Sequence, residues 1–110
     1  RIAGNGRFTV EANDMGAVHR LAGIVPFVAG PHLNIYNHET LDLLAGLGAI
    51  RWVAPVEMSQ VMLRGVLDMR RQPVATEVFG WGRLPLAFSA RCFTARHYDL
   101  QKDNCGFRCI

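Results

Sequence analysis

Three cysteines carry the strongest chemical signal in this chain, and all three lie in its last 19 residues. Cys92, Cys105 and Cys109 follow a C-x12-C-x3-C spacing through a polar, charged stretch. A lone cysteine usually hides in a core as a small hydrophobe, but a polar tail gives three of them no core to enter. An odd number in a chain with few secretory cues also argues against a disulfide framework. Metal is the better explanation. Thiolates bind zinc and iron–sulfur clusters, and a C-x3-C pair places two sulfurs one helical turn apart. Arg91, Arg96, Lys102 and Arg108 would offset the negative charge of a thiolate-ligated centre. Zinc would recruit His97 as a fourth ligand, in a C-x4-H-x7-C-x3-C pattern unlike the common short zinc knuckles. An iron–sulfur cluster would want a fourth cysteine from elsewhere. The radical-SAM arrangement of cysteines is absent.

A second set of polar residues falls just past the ends of apolar runs, where barrel enzymes keep their chemistry. These are Asn13 and Asp14, His32 and Asn34, Glu57, and Trp81. Each also has a structural explanation. Asn13 and Asp14 suit a helix cap, His32 a turn after Gly30-Pro31, and Glu57 a helix N-terminus. Glu11 and Glu77 lie within strand-like runs and would be interior carboxylates if they face inward. His19 and His38 sit on or beside helices and read as solvated. Met58, Met62 and Met69 have the spacing of a core stripe.

Positioning these residues falls to a repeating pattern. Strands are expected near 8–12, 26–30, 50–54 and 75–79, the second extending through Leu33 to Tyr36. Helices begin after caps at Asn13-Asp14, Asn37 and Ser59, with Val18 and Leu21, Leu41 and Leu44, and Met62, Val66 and Met69 facing inward. Arg70 and Arg71 end the third helix, where cations favour the dipole, and Pro73 blocks its continuation. The period of roughly 20–25 residues is that of βα units with parallel strands. Four units cannot close an eight-unit barrel of about 250 residues. A flavodoxin-like open sheet lacks its glycine-rich phosphate loop after the first strand. The expected fold is therefore α/β, a partial (β/α) barrel-like domain over 1–110, with 89–110 as a ligand segment.

Composition excludes several classes. The 110 residues are 50% hydrophobic and 19% charged, one domain's worth of sequence and too apolar for disorder. The net charge of +3 comes without a basic stripe, so nucleic acid is not an expected partner. No apolar run reaches the roughly 18 residues of a spanning helix. The chain opens on Arg1 rather than Met, and an internal piece of a longer protein is expected.

The run Leu84-Pro85-Leu86-Ala87-Phe88-Ser89-Ala90-Arg91-Cys92-Phe93-Thr94-Ala95-Arg96 resembles the ubiquinone-biosynthesis branch of the collagenase-like peptidase family. Phe27-Val28-Ala29-Gly30, Leu33-Asn34, Tyr36-Asn37, Arg51-Trp52 and Pro55-Val56-Glu57-Met58-Ser59 resemble its strand ends, so the likeness runs from about Phe8 onward. It implies a barrel-like fold carrying a 4Fe–4S cluster on four cysteines. Cys92, Cys105 and Cys109 match three of these ligands, and the first would precede Arg1. It also implies a cytoplasmic heterodimer with a UbiU-like protein, acting in oxygen-independent hydroxylation of the ubiquinone ring. A quinone precursor would be the substrate and a lipid-carrier protein a further partner. His32, Asn34 and Glu57 would line the mouth near substrate or partner. Two alternatives stand beside it: a structural zinc-binding barrel, and a peptidase of the same family. Neither H-E-x-x-H nor G-x-S-x-G is present to support proteolysis.

Overall fold

A computed structural model describes residues 3–83, 92–101 and 104–108. Over the first of these ranges the chain alternates strand and helix as its periodicity requires. β1 (Val10–Ala12) leads to α1 (Met15–Leu21), and β2 (Phe27–Ala29) to α2 (His38–Gly46). β3 (Ala49–Val53) leads to α3 (Gln60–Met69), and β4 (Ala75–Glu77) ends the series. A short α4 (Phe93–His97) lies in the cysteine-bearing tail. The expected apolar run at 84–88 falls outside the described residues.

Each of the three longer helices starts on a short polar side chain. Asp14, Asn37 and Ser59 accept from the backbone N–H of Ala17, Thr40 and Met62, satisfying donors that a helix start leaves open. Gly23 and Gly48, after α1 and α2, turn the chain into the next strand at φ of +70° and +108°. Those angles suit glycine and strain any residue with a Cβ.

The strands form one parallel sheet in the order β1-β2-β3-β4. Every crossover steps in the same direction. Right-handed connections then place the helices on one face, as in a barrel wall, whereas a doubly wound sheet reverses direction midway. The four strands make an open sheet with β1 and β4 at its edges. A register shift between Phe27 and Val28 bends the β2–β3 pairing.

The helix-covered face holds the core. Ala12, Ala29 and Trp52 lie side by side across three strands, and Val18, Leu21, Leu41, Leu44 and Val66 cover them from the helices. Trp52 and Phe27 are fully buried, and each such side chain contributes roughly 1.5–3 kcal/mol. Glu11, Val28, Arg51 and Ala75 run across the opposite face. Arg51 reaches Glu77 at 3.4 Å on that face, so Glu11 and Glu77 both lie on the helix-free side of the sheet, the inward side of a barrel wall.

Three local expectations need correction. Leu33 to Tyr36 do not extend β2. Pro31–Leu33 form a 3-10 turn and Asn34 adopts a left-handed conformation at φ 55°, which asparagine tolerates. The inward stripe of α3 is Leu63, Val66 and Leu67, while Met62 and Met69 flank it and are exposed. Met58 does pack against the core. Arg70 serves more than the helix dipole, since its guanidinium donates to Val74 O at 2.9 Å and Thr76 Oγ1 at 3.3 Å. It thereby ties the end of α3 to β4.

Candidate functional site

The C-terminal ends of parallel strands converge on one rim, and the loops that leave them bring distant residues together. A cleft of roughly 1180 Å³ opens there, lined by Asn13, His32, Asn34, Glu57 and Glu77 among its polar residues. Val53, Pro55, Val56, Val78 and Phe79 supply apolar walls. Thus His32, Asn34 and Glu57, singled out from sequence, share one site. Trp81 does not line it.

Two hydrogen-bonded groups shape the cleft. In the first, Asn13 Nδ2 donates to Glu11 Oε1 at 2.7 Å, and Asn13 Oδ1 lies 3.2 Å from His32 Nδ1. The same Oδ1 accepts the His32 backbone N–H at 3.3 Å. Gly30 makes this possible by having no side chain. A Cβ there would collide with Asn13 Oδ1 and sit 2.7 Å from Glu11 Oε1. In the second group, the Tyr36 hydroxyl donates to Glu57. This bond draws the Glu57 carboxyl below its usual range and holds the Tyr36 hydroxyl above its own.

The structural explanations sort the candidates further. Asp14 spends its carboxylate on the cap of α1, at 2.8 Å from Ala17 N. Asn13, read from sequence as part of that cap, instead faces His32. The type of Asn34 is accounted for by its left-handed turn. Tyr36 escaped the sequence reading because it sat in an expected strand extension. Its partner lies 21 residues away, and the βα period alone could have paired them. His38 is the first residue of α2 and half-buried rather than solvated, its Nδ1 2.9 Å from Glu39.

In the tail, Cys92 immediately precedes α4, and Cys92 and Cys105 are half-buried thiols outside any disulfide. Cys109 lies outside the described residues. His97 is exposed, its ring edge-on to Tyr98 at 4.9 Å between centroids. Among the described residues no three His, Cys, Asp or Glu side chains are grouped to hold a metal ion. No helix among them is long and apolar enough to cross a membrane.

No solved structure matches the chain. The family model of peptidase family U32 matches residues 7–110, from just before β1 to the last residue. That match takes in the βα units, the cleft at their strand ends and the cysteine tail together; the chain belongs to peptidase family U32, the collagenase-like family.

Proposed function

We propose that this chain is part of a UbiV-like iron–sulfur subunit of an oxygen-independent hydroxylase acting on the ubiquinone ring, with a UbiU-like protein as its partner. The observation that carries the reading is the Ser89–Arg96 run leading into C-x12-C-x3-C, in a chain of the collagenase-like family. The donor chemistry fits a cluster, because Cys92 and Cys105 are unpaired thiols in a segment that also supplies Arg96 and Arg108. Cys92, Cys105 and Cys109 would hold it, with a fourth thiolate from outside this sequence. A cluster, when bound, supplies one-electron chemistry beyond the reach of amino-acid side chains.

The strand-end cleft is the natural place for a ring substrate. Its apolar walls would bury the ring, and His32, Asn34 and Glu57 would fix its polar substituents. Among the described residues that line the cleft there is no serine, threonine or cysteine to act as an acyl-transfer nucleophile.

The test is metal and sulfide content of the intact protein purified without oxygen, with Cys92→Ala beside it. About four iron and four acid-labile sulfide per chain, lost in the variant, are expected. Zinc without sulfide would overturn the reading in favour of a structural site.

A further inference from the structure

Trp81 follows β4 much as Glu57 follows β3, yet it stands outside the cleft and is 95% exposed. Tryptophan is highly buried on average, and this one tops a rim that is already apolar. Val78 and Phe79 line the cleft and are themselves exposed, and Trp81 lies two residues beyond Phe79, within about 7 Å of chain. Gly80 and Gly82 flank it. A Cβ on Gly80 would meet nothing within 4 Å, and Gly82 holds a φ of +137°, where residues with side chains are strained. Positions of this kind absorb the backbone rotations of a hinge. A Cβ on Gly82 would lie 3.1 Å from Phe79 Cζ, so the Phe79 ring ties the base of the bend to the cleft wall.

We propose that Trp81 is a lid residue that folds over the strand-end cleft and stacks on a planar aromatic ring without negative charge bound there. The flatness follows from the partners, because an indole face and the Phe79 ring gain most from another ring. The charge follows from the lining. Asp14, Glu57 and Glu77 line the cleft, and among the described residues no Lys or Arg does. Arg51 offsets Glu77 at 3.4 Å, but Asp14 and Glu57 still weigh against an anionic ring. The proposal rests on the reading of the cleft as a ring site, and not on the cluster.

Three probes test it on the intact protein: phenol, cyclohexanol as a body of similar size without a flat ring, and benzoate as an anionic ring. Ligand-observed NMR should rank phenol tightest, with the other two several-fold weaker. Trp81→Ala should weaken phenol roughly two- to tenfold, the worth of one aromatic pair, and Trp81→Phe should recover part of the loss. Closure is read by fluorescence. In Trp52→Phe, Trp81 is the remaining tryptophan, and saturating phenol should protect it from quenching by acrylamide. Should that variant fail to fold, the difference between wild type and Trp81→Phe carries the same signal. Phenol affinity unchanged in Trp81→Ala, or quenching unchanged at saturation, would overturn the lid and leave the ring site standing. Phenol bound no tighter than cyclohexanol or benzoate would overturn the ligand class. No phenol binding at all would overturn the ring-site reading and the lid with it.

Discussion

The Tyr36 hydroxyl donates its hydrogen bond to Glu57, joining the loop after β2 to the loop after β3 across the mouth of the cleft. Neither group is buried, so solvent competes with the bond, and its value lies in orientation more than in stability. Tyr36→Phe should let the Glu57 carboxyl rise toward the ordinary carboxylate range, with the Glu57 backbone N–H still drawing it down, as a carbon NMR titration of Glu57 would show.

The same pair sets the sign of a pH dependence. Glu57 has a lowered folded pKa, so its contribution is present above the unfolded value and lost as pH falls through the folded one. Tyr36 has a raised folded pKa, so its contribution is present below the unfolded value and lost as pH rises through the folded one. The loop-to-loop link should hold at neutral pH and open at both extremes. Tyr36→Phe should flatten both limbs in a stability-against-pH profile.

Gly30→Ala addresses space rather than backbone freedom, because Gly30 has an ordinary φ of −75°. The added methyl would push Asn13 away from His32. Overpacking of this kind costs about 1–3 kcal/mol, which urea denaturation would measure.

Trp52 combines full burial with an indole N–H that has no hydrogen-bond partner among the described residues. A buried unpaired donor costs about 1–3 kcal/mol, and a smaller aromatic ring loses some packing in exchange for removing it. Trp52→Phe should therefore be close to neutral, while Trp52→Ala should cost about 3–5 kcal/mol. Chemical denaturation of the two variants separates the packing contribution from the polar one.

Asn37→Ala removes the cap of α2, whose Oδ1 lies 2.8 Å from Thr40 N, and should cost about 1 kcal/mol. Arg51→Met should change stability by less than about 1 kcal/mol, because the Arg51–Glu77 pair is more than half exposed. Denaturant midpoints of the two variants should rank in that order.

The helix starts were legible because Asp14, Asn37 and Ser59 act within three residues of themselves. The strands were legible in number and order of type, through a period that repeats four times. What lay beyond the sequence was contact across that period. Asn13 meets His32 from 19 residues away, and no local pattern distinguishes an asparagine that caps from one that reaches over a neighbouring glycine. The α3 stripe was misread by one position because Met62 and Met69 share a helical spacing with Val66, although Leu63 and Leu67 turn inward. Pro31 and Asn34 carried the signal against a longer β2, since both favour turns over strands. Whether Glu11 and Glu77 face inward depended on the register, which puts both on the helix-free side of the sheet.

The uniform strand order bears on how the protein is made. Each strand pairs with the one before it, roughly twenty residues earlier, so every closure carries a similar and modest entropic cost. None of the described strands must wait for a distant partner, as it would in a sheet whose order doubles back. A nascent chain emerging at about 5–20 residues per second can lay β2 on β1, then β3 on β2, within seconds of translation. Assembly can thus keep pace with synthesis, and the growing edge is always the strand most recently released.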